Sequence, residues 1–151
     1  MKISKNEIVA VILWTVFVVF FSSIPYWIGS NYTPKGMEFM RFIGNNSDQN
    51  SYLAWIKQSQ EGKILFEDKF TTENQWGVFF HPLFLVSGWF SRIMGIDVLT
   101  TYHLIRIVNG SFMLIIVYLF SFFFLKDANQ RLFFLLLISL SSGFGWLAPH
   151  P

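Results

Sequence analysis

One carboxylate, Asp48, has the sequence setting of a reactive group. It lies in the run Ser47-Asp48-Gln49-Asn50, where a stretch with helical spacing begins. A carboxylate can accept a proton from a hydroxyl or an amine, and it can ligate a divalent metal. It can also stabilise the positive end of a helix, and on composition alone this structural role is the favoured interpretation. Asn50 can hydrogen-bond or ligate a metal, but it cannot act as a base.

A helix over residues 47–61 must position Asp48. Ser47 is a good N-cap, and Asp48 then falls in the first turn. Apolar positions recur three and four residues apart at Tyr52, Leu53 and Ile56, with Trp55 on the flank. Gly62 is placed to end the helix. The pattern predicts an amphipathic helix lying along a membrane surface, aromatic side down.

The composition is that of an integral membrane protein. The 151 residues are 53% hydrophobic and 13% charged, whereas soluble domains carry about 25% charged residues. The absence of cysteine excludes a disulfide scaffold, a thiolate metal site and a cysteine nucleophile. A net charge of +2 is too small to indicate a nucleic-acid partner. We therefore expect an all-α integral membrane protein with membrane lipids around it.

Three long apolar runs predict three membrane helices. The first run holds no charge from Ile8 to Ile28, roughly 30 Å of helix, and closes on Pro25-Tyr26-Trp27, typical of an interfacial belt. It is longer than the apolar core of a signal peptide. The predicted helices cover about 7–28, 102–125 and 131–148, the last rich in Ser and Gly that favour close packing.

The segment 77–95 contains an apolar run of only 13 residues, Val78 to Phe90, with His81-Pro82 inside it. A run of about 10–14 residues is more often interfacial or re-entrant than spanning, and a span is the alternative. We interpret the segment as interfacial or re-entrant. The four basic residues Lys2, Lys5, Lys126 and Arg131 then lie on one side, which predicts a cytoplasmic amino terminus and an outer loop over about 29–101. We expect a multi-pass protein of the cell membrane.

Two ionisable residues near the predicted membrane surface each have two possible roles. Arg106, at the outer end of the second membrane helix, can extend to lipid headgroups, or it can belong to a site. His81 precedes a proline and is a turn residue by default, with a ligand contact as the minority interpretation. The apolar runs Ile8–Ile28, Ile107–Leu125 and Leu132–Leu147 contain no charge, which counts against ion or proton transport.

Several segments, in their order along the chain, carry a family resemblance. They are Gly44-Asn-Asn-Ser-Asp48-Gln-Asn-Ser-Tyr52-Leu-Ala-Trp-Ile-Lys-Gln58-Ser-Gln-Glu-Gly62, Phe70-Thr-Thr-Glu73, His81-Pro82-Leu83, Gly95-Ile96 and Tyr102-His-Leu-Ile-Arg106. Over roughly residues 7–147 the layout resembles the amino-terminal part of the C-type (GT-C) polytopic glycosyltransferases. That superfamily includes protein O-mannosyltransferases and the aminoarabinose transferases of lipid A. The likeness is closest to a bacterial group whose loop helix starts Asp-x-x-Ser-Tyr-Leu-Ala, which implies a bacterial inner membrane.

The resemblance implies a role for each matching residue. Asp48 takes the place of the catalytic acidic residue of the outer loop. His81 and Pro82 match the start of a His-Pro-Pro-Leu element, in which Leu83 replaces the second proline. Arg106 takes the place of an arginine that opens the second spanning helix. The paired acidic motif of the superfamily reads Asp48-Gln49-Asn50 here, so the sequence does not support a metal.

The implied function is sugar transfer from a polyprenyl-phosphate donor to an acceptor on the outer face of the membrane. Asp48 would be the base, while Arg106, His81 and Lys57 would bind the donor phosphate and Asn50 would contact substrate. No cofactor is expected beyond an optional divalent metal.

Three spans cannot enclose a large donor pocket, and the superfamily has many more. We therefore expect an amino-terminal fragment, inactive alone, that is completed by a carboxyl-terminal part or a partner membrane subunit. The alternative is a small non-catalytic multi-pass protein that acts as an assembly or interaction subunit.

Overall fold

The structure is a computed structural model that describes residues 3–43, 46–73 and 75–141, with the backbone alone at positions 46 and 47. The described residues form five α-helices, which are α1 (Lys5–Asn31), α2 (Asn46–Gln60), α3 (Pro82–Met94), α4 (Val98–Ser121) and α5 (Ala128–Leu140). No strand occurs in this part of the chain, although an isolated antiparallel bridge joins Phe66 and Phe79. The expected all-α class is confirmed.

Two of the helices are long and apolar enough to cross a membrane, α1 with 27 residues and α4 with 24. At the helical rise they reach about 40 and 36 Å, against a hydrocarbon core of about 30 Å. The described part of α5 has 13 residues, fewer than the roughly 20 that a span requires. The predicted third span continues over 142–148, which lie outside the described residues.

The bounds of α4 differ from the predicted 102–125 for local reasons. It begins at Val98 because Asp97 caps it, with Oδ1 accepting the backbone N–H of Thr100 at 2.9 Å. It ends at Ser121, whose carbonyl accepts the N–H of Leu125 at 2.9 Å while the chain turns. The apolar residues 122–125 therefore lie beyond the helix, although nothing in their side chains breaks one.

The helix α2 matches its prediction closely. It ends before Gly62, which has φ +101°. The N–H of Gly62 donates to Ser59 O at 2.9 Å, and that of Lys63 donates to Gln58 O at 3.0 Å, the paired bonds of a Schellman cap. The side chain of Ser47, the predicted N-cap, lies outside the described residues. Within the predicted interfacial segment 77–95, α3 occupies Pro82–Met94.

The described chain divides into two compact units. The terminal unit holds the residues up to Ser23 and those from Val108 onward, around a core of Val11, Leu114, Tyr118 and Leu135. In it α1 and α5 run in the same direction, because Glu7 pairs with Arg131 and Trp14 with Ser139.

The central unit is residues 24–107. Its core consists of Ile56, Phe66, Phe84 and Leu85, to which Tyr52, Trp55, Val98 and Tyr102 add partly buried side chains. The unit contains all five residues to which the sequence assigned a chemical role.

Candidate functional site

The central unit is organised by the packing of α2 against α3. Tyr52 stacks on Phe84 with 5.2 Å between ring centroids. Further along both helices, Gln60 Nε2 donates to Ser91 Oγ at 2.8 Å. Early residues of one helix thus meet early residues of the other, and late residues meet late ones. The two helices run in the same direction, and their amino-terminal ends lie at the same end of the pair.

Small buried residues bring the two helices into close contact. Ser59 Oγ donates to the carbonyl of Leu85 at 2.8 Å. A Cβ added at Gly88 would lie 2.3 Å from Ser59 Cβ, so only glycine fits there. Ser87 and Ser91 on α3 are also fully buried. The aromatic side of α2, expected to face lipid, is instead covered by α3.

The connection from α2 to α3 is fixed to α2. The side-chain amide of Gln58 bonds to both backbone groups of Glu67, accepting its N–H at 2.9 Å and donating to its carbonyl at 3.0 Å. The neighbouring Phe66 N–H donates to Phe79 O at 2.8 Å. These bonds lead the chain back along α2 and place His81 at the start of α3.

Asp48 lies in the first turn of α2, and its side chain is exposed. It precedes Tyr52 by four residues, and residues four apart share one side of a helix. Asp48 therefore continues the side of α2 that packs on α3, one turn beyond the stacked rings. The structure therefore has an acidic side chain in the first turn of α2, as expected, while the catalytic role of Asp48 stays a prediction.

His81 is the N-cap residue of α3, with φ −140° and ψ 114°, as expected for a residue before proline. Its ring centroid lies 4.4 Å from that of Phe84 and 6.0 Å from that of Phe79. Its Nδ1 is buried and has no hydrogen-bond partner among the described residues. Since Tyr52 stacks on the same Phe84, His81 lies at the end of the helix pair that also carries Asp48.

Lys57 and Asn50 lie on the other side of α2. They follow Asp48 by nine and two positions, which places them about 180° and 200° around the helix from it. Lys57 Nζ donates to Gln60 Oε1 at 2.9 Å and lies 3.9 Å from Glu61 Oε1. Asn50 lines a separate cleft. The structure therefore does not bring these two predicted substrate contacts to the side of Asp48 and His81.

Arg106 lies eight residues inside α4, rather than opening it. Its guanidinium carbon is 4.6 Å from the ring centroid of Tyr26 in α1, a cation–π contact within the central unit. The adjacent His103 ring is 5.0 Å from the same tyrosine ring. The guanidinium of Arg106 thus contacts an aromatic side chain of the protein itself.

The cleft that Asn50 lines has a volume of about 500 Å³. Its polar walls are Glu38, Arg41, Asn50 and Asp97, and Phe39 and Phe42 are among its apolar ones. Hydrogen bonds from Thr100 and the charge of Arg41 hold the pKa of Asp97 below its usual value. Asp97 is therefore a carboxylate at neutral pH.

The three charged residues of this cleft were not predicted from the sequence as site residues. For Asp97 a signal existed, because an Asp directly before apolar residues, here Val98 and Leu99, is a helix N-cap pattern. Glu38 and Arg41 lie in a stretch with no periodicity, and only folding brings them beside Asn50.

No group of three or more His, Asp or Glu side chains close enough to hold a metal ion occurs among the described residues. Comparison with protein-family models, with curated proteins and with solved structures finds no match.

Proposed function

We propose that this chain is part of a membrane glycosyltransferase that takes its sugar from a polyprenyl-phosphate donor, with Asp48 as the base. One observation carries the proposal. The parallel packing of α2 and α3 brings a carboxylate, Asp48, and an imidazole with an unpartnered ring nitrogen, His81, to the same end of one helix pair.

That end of the pair suits a phosphate. Two helices present their amino-terminal ends there, and the unpaired backbone N–H groups and dipole of a helix start favour an anion. His81 adds a side chain that can donate a hydrogen bond to phosphate oxygen. The exposed Asp48 is one helix turn away from the stacked rings and can meet an acceptor from solution.

The proposed reaction is a single displacement at the anomeric carbon. Asp48 takes the proton of the acceptor hydroxyl, the acceptor oxygen bonds to the anomeric carbon, and the bond from that carbon to the phosphate oxygen breaks. The lipid phosphate leaves with the bonding electrons, and the helix ends and His81 stabilise its charge. Asn50 and Lys57, on the opposite side of α2, take no part in this step.

The accompanying proposal for topology is three spans with a cytoplasmic amino terminus and residues 32–97 outside. Most side chains of α1 and 10 of the 24 in α4 are exposed, and large apolar ones such as Leu13, Phe20 and Phe112 are more than half exposed. A core helix of a soluble protein would bury them, whereas lipid would cover them. The common direction of α1 and α5 supports a third span, because the chain then crosses the membrane in α1, returns in α4 and crosses again in α5.

Turnover of the donor tests the catalytic proposal. The protein is expressed, and membrane vesicles that contain it receive undecaprenyl phosphate carrying radiolabelled mannose or glucose. We expect label to leave the lipid fraction, and Asp48→Asn to lower kcat at least about 100-fold, the usual contribution of a general base. Membrane insertion, followed by the amount of protein in washed membranes, should not change.

Glu61→Gln is the matched control, because it removes an exposed carboxylate from the other end of the helix pair. It should leave kcat within about twofold. Retained turnover in Asp48→Asn would contradict the assignment of the base. If the unsubstituted protein consumes neither donor, the non-catalytic assembly subunit becomes the better interpretation.

A further inference from the structure

The cleft on the far side of α2 combines side chains that the transfer reaction does not use. Two carboxylates, one guanidinium and one carboxamide line it, from Glu38, Asp97, Arg41 and Asn50. Phe39 and Phe42 are among its apolar lining residues. A volume of about 500 Å³ is within the range of pockets that enclose small organic molecules.

Arg41 is held in a backbone conformation that a non-glycine residue adopts at a cost. Its φ is +60°, the left-handed region, and it is the non-glycine residue with positive φ in the described chain. Such strain persists only where the surroundings enforce it, and it concentrates at ligand sites.

Contacts on both sides of Arg41 enforce that conformation. The Phe39 ring lies against the backbone of Gly29 in α1, where its Cζ would be 2.5 Å from an added Cβ. Phe42 packs edge-on against Tyr102 of α4, with 6.2 Å between centroids. The segment 39–42 is thus fixed to two helices of the central unit, with the Arg41 side chain on the cleft.

We infer that this cleft is a binding site for a carbohydrate ring, with Arg41 and Asn50 as donors to its hydroxyl or ring oxygens and Glu38 and Asp97 as acceptors. A sugar hydroxyl both donates and accepts hydrogen bonds, so a wall that contains both donors and carboxylates can satisfy several hydroxyls at once. Apolar surface of the cleft can contact the C–H face of a pyranose.

Two other ligand classes fit the cleft less well. An anion would meet two carboxylates against one guanidinium, an unfavourable charge balance. A divalent cation would need more oxygen ligands than two carboxylates and would meet Arg41. A neutral polyhydroxyl ligand is the class that can hydrogen-bond to all four polar side chains of the cleft.

The bound sugar is not the one that Asp48 transfers, since Asn50 lies about 200° around α2 from Asp48. The inference therefore stands independently of the proposed function. Its ring can come from an extended glycan or from a lipid-linked sugar, and the two sources share the same hydroxyl chemistry.

Ligand-observed NMR tests the site on the purified full-length protein in a detergent without sugar headgroups. The probes are methyl α-mannoside, methyl α-glucoside and maltotriose, and mannose linked through phosphate to a short polyprenyl chain. We expect saturation transfer to at least one of them, with millimolar Kd for a single ring. Tighter binding of the trisaccharide identifies a glycan. Tighter binding of the lipid-linked mannose identifies a lipid-linked sugar only where Arg41→Gly weakens it, because the proposed donor site beside Asp48 would bind the same probe without Arg41.

Arg41→Gly is the decisive variant, because glycine adopts positive φ freely and removes only the side chain. We expect an unchanged or higher thermal midpoint together with at least tenfold weaker sugar binding. Arg92→Ala removes an exposed guanidinium from α3 and should leave binding unchanged.

Three results would overturn the inference. They are no saturation transfer to any sugar, undiminished binding in Arg41→Gly, and complete displacement of the sugar by millimolar inorganic phosphate or by methylamine. Asp48→Asn should keep sugar binding while it loses turnover, so failure of the transferase proposal and failure of this inference are distinguishable.

Discussion

Glu7 and Arg131 form a buried ion pair that joins the beginnings of α1 and α5 across 124 positions of sequence. Arg131 Nη2 lies 2.6 Å from Glu7 Oε1, and the two side chains are 6% and 3% exposed. The Tyr118 hydroxyl donates to the same carboxylate oxygen. Arg131 Nη1 also donates to the carbonyl of Lys126 at 2.8 Å. The buried charges of Glu7 and Arg131 are therefore paired with each other and hydrogen-bonded to neighbouring groups of the terminal unit.

Removing one partner of this pair should destabilise the terminal unit strongly. Glu7→Gln keeps the shape but leaves the Arg131 charge buried and uncompensated, which costs about 3–5 kcal/mol. We expect that loss in the free energy of unfolding, measured with denaturant in micelles. Glu7→Leu combined with Arg131→Met should recover much of it, because no buried charge then remains.

Lys5→Gln is the control for this cycle, since Lys5 is exposed two residues before Glu7. It should change the free energy of unfolding by less than about 0.5 kcal/mol. Equal effects of Glu7→Gln and Lys5→Gln would show that the pair contributes nothing measurable.

The absence of native cysteine makes the proposed topology directly testable by labelling. Single cysteines are placed at Glu61, exposed after α2, and at Gln130, exposed in α5. A membrane-impermeant maleimide added to intact cells should label position 61 and reach position 130 only after permeabilisation. Labelling of position 130 in intact cells would reject the cytoplasmic placement of this end of α5.

Local signals in the sequence predicted the bounds of α2 well, because the residues that end this helix are adjacent in the chain. Gly62 closes it through bonds to Ser59 and Gln58. The burial of Gln58 and Ser59, at 3% and 0% exposure, was not predictable from their types. It depends on α3 and on the strand-like segment near Glu67, which become neighbours only in the fold.

The terminal unit shows the same limit. Ser4 and Glu7 form a capping box, with the Glu7 N–H donating to Ser4 Oγ at 3.2 Å, and this pattern is readable in sequence. The pairing of Glu7 with Arg131 is not, because no local rule links residues so far apart. Of the candidate site, the sequence located Asp48 and His81 and the extended conformation before Pro82. The sequence could not predict that Asp48 and His81 lie at the same end of the helix pair while Asn50 lies elsewhere, because this depends on the packing of α2 against α3.

Gly88→Ala should separate α2 from α3. The added methyl group would lie 2.3 Å from Ser59 Cβ and 2.6 Å from the backbone nitrogen of Gln60. Because backbone atoms cannot move aside easily, we expect a loss of about 1–3 kcal/mol of stability, typical of overpacking. Donor turnover should fall with it, since Asp48 and His81 share the end of this helix pair.

Gly110→Ala is the matched substitution, because nothing lies within 4 Å of the added Cβ in α4. Alanine is the better helix former, so stability should stay equal or rise. Ser59→Gly should restore part of the stability of Gly88→Ala by making room. Equal stability of the two alanine variants would contradict the close contact.

Glu67 should make the stability of the central unit depend on pH in the acidic range. Hydrogen bonds from Lys63 and Lys69, each at 2.5 Å, lower the pKa of Glu67 from 4.5 to about 2. A pKa that is lower in the folded state gives stability that is fully present above pH 4.5 and is lost as the pH falls towards 2. The unfolding midpoint should therefore decline between these values, and the decline should be smaller in Glu67→Gln.

Replacing both Lys63 and Lys69 by Gln should raise the pKa of Glu67, measured by NMR of its carboxyl carbon. An unshifted carboxyl titration in the unsubstituted protein would reject the assignment.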